Sequence, residues 1–312
     1  MSNPSQIYVV DKEKDIPLHA FREVSDDPSG ALPFMYFKFS DQLPGSLAAY
    51  PHRHSFYEIL YITSGNGTHF IDFHPYPIEP NTLYFISPGQ VHFWETTGLP
   101  IEGEALLFTQ DFLLLAPVDI MVLHELSFFH SLEEYCSMRL DHADHQLIEP
   151  LIDAISNEYK MPVFRSKSVL RAYIHIFLVQ VERMCAESQL HTSQARAGRD
   201  TTTQKLVRQF KYLVAKQFQN EQAVSAYAQQ LGVTVTHLNN MVKSVTGKTP
   251  GRLIRQEIVI EAKRLFAYTD MTAAEVCYRL GFSDPSYFSR FFQREAGVST
   301  LQFRRSLLHE EG

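Results

Sequence analysis

The stretch Ala273-Ala274-Glu275-Val276-Cys277-Tyr278-Arg279-Leu280-Gly281-Phe282, followed by Ser286-Tyr287-Phe288-Ser289-Arg290-Phe291-Phe292 and Gly297, decides how the last third of the chain folds. Apolar residues recur at helical spacing on both sides of Gly281, which predicts a helix, a tight turn and a second helix. The same pattern occurs about 50 residues earlier: Ala228-Gln229-Gln230-Leu231-Gly232-Val233 matches Cys277 to Phe282, and Leu238 to Gly247 matches Phe288 to Gly297 after a one-residue insertion. A pattern repeated in this way marks a duplicated supersecondary unit. Gly232 and Gly281 stand where the first helix of each copy ends in left-handed backbone, and Gly247 and Gly297 close the second helices likewise. Thr272-x-x-Glu275 reads as a capping box, and Asp284-Pro285 sets a capping side chain ahead of a proline in the first helical turn.

A helix-turn-helix sends its second helix into the DNA major groove and reads base edges with the exposed residues of its first turns. In the first copy these are Thr236, His237, Asn239, Asn240 and Lys243, opposite the apolar Leu238, Met241 and Val242. In the second they are Ser286, Tyr287, Ser289, Arg290 and Gln293, opposite Phe288, Phe291 and Phe292. Asn pairs with adenine, and Arg with guanine or phosphate. Lys211, Lys216, Lys248, Arg252, Arg294, Arg304 and Arg305 are expected mostly on the phosphate backbone. Charge agrees: residues 203–309 carry 15 Lys+Arg against 7 Asp+Glu, whereas residues 1–202 carry 13 against 26, within a total net charge of -7. A basic module beside an acidic one suits a polyanionic partner.

The 312 residues suggest about two domains. With 45% hydrophobic and 20% charged residues the composition is that of a soluble globular protein. No apolar run approaches the ~20 residues of a membrane helix, and Met1-Ser2-Asn3-Pro4 lacks the features of a secretory signal. A cytoplasmic location is expected. Cys136, Cys185 and Cys277 are an odd number without a close pair, which argues against a disulfide framework. From Met35 to about Phe108, aromatic and β-branched segments (Tyr57–Ile62, Thr68–Asp72, Thr82–Ile86) alternate with Gly- and Pro-rich turns, a pattern of short strands forming a barrel or sandwich. Gln146–Tyr159, through Leu147, Leu151 and Ile155, and Lys167–Met184, through Leu170, Ile174, Leu178 and Val181, predict helices that cover the barrel or pair two copies as a homodimer. Glu187–Gln204, rich in Ser, Thr, Gln and Ala, reads as a linker. His124, His130, His142 and His145 are assigned no function.

Within the N-terminal half, Pro51-His52-Arg53-His54-Ser55-Phe56-Tyr57-Glu58 and a later His92 bring three imidazoles and a carboxylate into one pattern. Such a set can hold Zn²⁺, Fe²⁺, Ni²⁺ or Mn²⁺.

Residues 203–308 resemble the DNA-binding domain of AraC/XylS-type transcriptional regulators, and the words quoted from the second copy follow that family's signature almost throughout. Departures are Cys277 where the family has Ala, and Thr300 where a proline is common. The resemblance implies that the long helix Pro250–Tyr268 joins two reading helices facing one side of double-stranded promoter DNA. Residues 45–93 resemble a cupin; the residues that ligate metal in metal-binding cupins fall on His52, His54, Glu58 and His92, while Asn81 and Ser87 depart from its pattern. Sensor cupins also use such residues to hold an organic effector. On that reading His52, His54, Glu58 and His92, with Trp94 on the face of His92, contact a sugar or other small polar molecule.

The resulting expectation is an α+β chain of two domains: a cupin-like β-barrel over 1–112 with helices for dimerisation or packing over 113–186, a linker over 187–204, and an all-α tandem helix-turn-helix over 205–309. Its expected function is effector-controlled transcriptional regulation with RNA polymerase as a partner if it is an activator, no catalysis and no committed cofactor. The alternatives are a metal-dependent cupin enzyme or metal sensor fused to a DNA-binding module, and a constitutive architectural DNA-binding protein.

Overall fold

The computed structural model describes residues 16–21, 33–41, 50–96, 100–113, 126–129, 137–161, 163–192 and 202–308. The chain divides into two compact units, one over Pro17–Ala197 and one containing Gly198–Gly312.

In the first unit the strands are β1 (Leu18–His19), β2 (Phe34–Lys38), β3 (Arg53–His54), β4 (Tyr57–Ser64), β5 (Gly67–Ile71), β6 (His74–Ile78), β7 (Thr82–Ile86), β8 (His92–Thr96), β9 (Glu102–Phe108) and β10 (Ser137–Arg139). One sheet has the order β10-β7-β4-β9-β2, a second β6-β5-β8, and β1 pairs with β3. An antiparallel bridge between His52 and His92 links the β3 segment to β8. The side chains of the five-stranded sheet alternate between two cores. Tyr57, Ile59 and Tyr61 of β4, Leu83 and Phe85 of β7, and Leu106 and Phe108 of β9 face helices. Leu60 and Ile62, Tyr84 and Ile86, and Ala105 and Leu107 face an interior shared with Ile71 and Ile78 of the smaller sheet. Both faces are therefore covered, which is why β4 and β7 read as nearly continuous apolar runs.

The covering helices follow: α1 (Gln110–Leu113), α2 (His142–Lys160) and α3 (Ser166–Thr192). A reciprocal capping box of Asp141 and Asp144 starts α2. Its buried stripe is Ile148, Ile152 and Ile155, with Leu151 beside it, whereas Leu147 is 52% exposed. The expected stripe is thus kept at Leu151 and Ile155 and departs at Leu147, in whose place Ile148 is buried. Leu170, Ile174, Leu178 and Val181 of α3 are buried in the same cluster, so the sheet covers the stripe that suggested pairing. Helix α3 continues to Thr192, into the stretch expected as linker from Glu187. Ala, Glu, Gln and Leu in Ala186–Leu190 favour helix without needing apolar periodicity. The following helix already begins at Thr202, and 193–201, with Cys136, His124 and His130, lie outside the described residues.

The second unit holds α4 (Thr202–Gln217), α5 (Val224–Gln230), α6 (Val235–Thr246), α7 (Pro250–Tyr268), α8 (Ala273–Arg279), α9 (Pro285–Ala296) and α10 (Thr300–Leu308). Thus α5–α6 and α8–α9 are the two helix-turn-helices and α7 joins them. Gly232, Gly247, Gly281 and Gly297 all have positive φ. At Gly281 a Cβ would also lie 2.3 Å from the Gln219 carbonyl oxygen, so glycine is required for space as well as for conformation. Thr234 caps α6 by accepting from the His237 amide, Thr272 and Glu275 form the capping box of α8, and Asp284 accepts from the Ser286 and Tyr287 amides at the start of α9. Leu253, Ile254, Ile258, Ala262 and Leu265 of α7 are buried. Phe266 meets Phe292 edge-on at 5.4 Å, and Phe210 of α4 meets Tyr227 at 5.6 Å. Among the described residues no helix is long and apolar enough to cross a membrane.

Candidate functional site

Both second helices turn a polar face to solvent. On α6, Leu238 and Val242 are buried while Thr236, His237, Asn240 and Lys243 are exposed. Asn239 is half-buried, and its Nδ2 donates to the Val235 carbonyl at 2.9 Å. On α9, Phe288, Phe291 and Phe292 are buried while Ser286, Tyr287, Arg290 and Gln293 are exposed. Ser289 is half-buried and its hydroxyl donates to the Pro285 carbonyl at 2.9 Å. Among the cations expected on phosphate, Arg252 and Arg305 are exposed. Arg304 is instead engaged within the unit, where it donates to the Met271 carbonyl and lies over the Phe266 ring, tying α10 to the end of α7. Arg294 lies over Phe291 and donates to Glu295, which also receives Arg255 at 3.1 Å.

In the first unit His52, His54, Glu58 and His92 converge. His54 Nε2 lies 3.3 Å and His92 Nε2 3.7 Å from Glu58 Oε2, and the His52 and His92 rings are 4.3 Å apart between centroids. Trp94 reaches the group through His69, whose ring lies 5.0 Å away. Three members were not anticipated. His69 places Nε2 3.2 Å from His92 Nδ1, His19 lies 5.6 Å from His52 between ring centroids, and Tyr50 shares a hydrogen bond with His19 at 3.1 Å. Strand alternation could have identified His69, since it stands two residues before the buried Ile71 on β5. Nothing local identifies His19, which the parallel β1–β3 pairing sets beside His54.

Proton positions follow from the neighbours. Carbonyl oxygens only accept, so His52 Nδ1–H donates to Tyr50 at 2.8 Å and His54 Nδ1–H to Phe56 at 2.7 Å. In the neutral rings both Nε2 atoms are then lone pairs, and that of His54 faces a carboxylate oxygen. His92 Nε2 is buried without a hydrogen-bond partner among the described residues. Burial holds His52 down to about 4 and His69 down to about 3, and pushes His92 well below the ordinary imidazole range, with neighbouring imidazoles adding to all three. Neutral imidazole is the form that ligates metal.

His54, Glu58 and His92 offer ligand atoms within 4.8 Å of one another. Two nitrogens and one oxygen suit a borderline divalent cation, and carbonyls or a second imidazole steady the far ring nitrogens, as outer partners of metal-bound histidines do. The residues therefore fit the metal that a cupin implies. They fit equally a ligand whose hydroxyls donate into the acceptors. His52 lies outside that three-residue set.

Comparison with known proteins agrees with both halves. Residues 41–161 match the family described as the AraC-like ligand binding domain, and residues 227–306 match a helix-turn-helix domain family. The HTH-type transcriptional activator RhaS of Salmonella schwarzengrund (strain CVM19633) is 26% identical over 280 residues, 89% of this chain and 94% of that protein. Among solved structures, the C-terminal domain of AraT, a response regulator from Geobacillus stearothermophilus, is 26% identical over 35% of this chain and 88% of its own, with a TM-score of 0.32. ToxT from Vibrio cholerae is 14% identical over 88% of this chain and 98% of its own, with a TM-score of 0.37. The chain belongs to the AraC family of transcriptional regulators, with a ligand-binding domain followed by a helix-turn-helix DNA-binding domain.

Proposed function

We propose that the chain is a cytoplasmic, homodimeric transcriptional activator that reads promoter DNA with α6 and α9, recruits RNA polymerase and catalyses no reaction. Its output is set by a small polar molecule, a sugar or similar, held by His52, His54, Glu58, His92 and Trp94. The observation that carries this reading is the buried His54–Glu58–His92 group, in which His54 Nε2 lies 3.3 Å from Glu58 Oε2, in the same chain as two exposed reading helices. Thr236, His237, Asn239, Asn240 and Lys243 contact one major-groove segment, and Ser286, Tyr287, Ser289, Arg290 and Gln293 the next, about one helical turn away. By linkage, an effector that favours the DNA-binding arrangement is itself bound more tightly when DNA is present. Activation is suggested by the name of the RhaS relative.

The experiment is a thermal-shift screen of the full chain against sugars and small polyols, followed by footprinting on its own upstream region with each hit. A hit that stabilises wild type but not Glu58→Ala, and alters the footprint, supports the reading. Effector-independent footprints that survive both Asn239→Ala and Arg290→Ala would overturn it. A second reading, a divalent cation as the sensed ligand, is favoured by the His54 lone pair facing a carboxylate oxygen. Chelation that lowers the melting temperature and alters the footprint supports it; a chelator-indifferent melt removes it.

A further inference from the structure

Val235 is the first residue of α6 and is 41% exposed, while Leu238 and Val242 of the same helix are fully buried. Helix propensity does not account for a valine there, since a β-branched side chain is a modest helix former, and about two-fifths of its surface faces water. It stands one turn before Asn239, and the two are tied by the hydrogen bond from Asn239 Nδ2 to the Val235 carbonyl. Residues four apart share a helix face and are about 6 Å apart along the axis, close to two base steps of about 3.4 Å.

We infer that Val235 is a specificity-determining residue that reads the 5-methyl group of a thymine, beside adenine contacts made by Asn239 or Asn240. Apolar contact with that methyl is the one major-groove interaction open to a valine, and Asn is the natural partner of adenine. Valine's restricted χ1 sets its methyl groups in place with little entropy left to lose on binding. The second copy differs: the position aligned with Asn240 is Arg290, whose guanidinium suits guanine. The duplex recognised by one chain is therefore asymmetric, with an A·T-containing segment under α6 and a guanine under α9. This inference rests on the proposal that α6 and α9 read DNA.

The test begins with selection of duplexes from a randomised pool by the full-length chain, with affinities then measured by fluorescence anisotropy at one fixed salt concentration. Each thymine of the enriched sequence is replaced singly by deoxyuridine, which removes only the methyl group. Burial of one methyl predicts about a fourfold loss of wild-type affinity at one thymine in the α6 segment. The Val235→Ala variant should bind the unmodified duplex more weakly and be indifferent to that same replacement, with an unchanged helical melt. If every deoxyuridine substitution affects wild type and Val235→Ala alike, the inference is overturned while DNA reading stands. If no duplex is enriched, DNA reading fails and the inference with it.

Discussion

Replacing Glu58 by glutamine reports where the protons lie in the imidazole cluster. With neutral His54 the Nδ1 proton is committed to the Phe56 carbonyl, so Nε2 and the carboxylate oxygen 3.3 Å away are two acceptors without a hydrogen between them. The amide introduced by Glu58→Gln keeps the shape and donates to that lone pair. A buried hydrogen bond contributes about 0.5–1.5 kcal/mol, and removal of a carboxylate from a site only 9% exposed lifts a desolvation cost. For a unit the size of Pro17–Ala197, about 1 kcal/mol raises the melting temperature by about 2–4 °C. Had His54 instead carried a second proton, the pair would be a buried ion pair, and loss of one partner would cost about 3–5 kcal/mol, a fall of about 6 °C or more. The two cases differ in sign. The assay is differential scanning calorimetry of EDTA-dialysed full-length protein, wild type against Glu58→Gln, repeated with zinc, nickel or manganese. A cation at 100 times its Kd would stabilise wild type by about 2.7 kcal/mol, or roughly 5–11 °C, and the variant far less. A metal-free variant that melts about 6 °C or more below wild type refutes the reasoning.

Three further outcomes are expected. Phe292→Ala empties a site against Phe266 and Phe303 and should cost about 3–5 kcal/mol, measured by urea unfolding followed at 222 nm; a loss under about 1 kcal/mol would mean that this aromatic cluster does not hold the unit. Arg304→Ala should lower stability and leave the salt dependence of DNA binding unchanged, whereas Arg252→Ala should weaken binding to all sequences alike and reduce the salt slope by about one; the reverse assignment would place Arg304 on phosphate. Acid should destabilise the metal-free first unit, because folding holds His69 near 3 against an ordinary 6.5 and lowers His52 and His92 as well. The unfolded chain takes up those protons first, so stability is complete above about pH 6.5 and falls toward pH 4, by at most about 1.4 kcal/mol per pH unit for each histidine. Urea titrations at pH 7.5 and 5 measure the loss, and a flat profile would contradict the burial of neutral imidazoles.

What the sequence disclosed and what it withheld separate along a physical line. The two helix-turn-helices were legible because their determinants are local: a capping side chain, an apolar triplet such as Phe288, Phe291 and Phe292, and a glycine at a left-handed turn all lie within about twenty residues. The strands were legible as apolar runs, but not which face met which core, because a sheet buried on both sides erases the alternation that would reveal its inner face. Helix α2 shows the limit of pattern reading. Leu147 and Ile148 are both apolar neighbours, and only contact with the sheet selects Ile148 for burial and leaves Leu147 outside.

The ligand cluster divides in the same way. His52, His54 and Glu58 lie within seven residues and announce themselves by spacing, whereas the groups that govern their behaviour arrive through pairing of distant strands. His69 comes from β5, where it stands opposite Trp94 in the ladder with β8, and it occupies the far nitrogen of His92. His19 comes from β1 through its pairing with β3. These partners help decide whether His92 presents a lone pair or a proton toward Glu58, and hence whether the pocket takes a cation, a hydroxyl donor or an acceptor. If His92 Nδ1–H donates to His69, the His92 lone pair joins that of His54 beside the carboxylate and the pocket is a pure acceptor; if His69 donates, His92 presents a proton to Glu58 instead. Each arrangement leaves His69 Nδ1 buried without a partner among the described residues, so neither is fully satisfied by them. His69→Phe removes that choice while keeping a ring beside Trp94, and it should change which ligands bind more than how firmly the unit folds. Unchanged ligand selectivity in that variant would show that the carbonyl-fixed His52 and His54, rather than the His69–His92 pair, set the chemistry of the pocket.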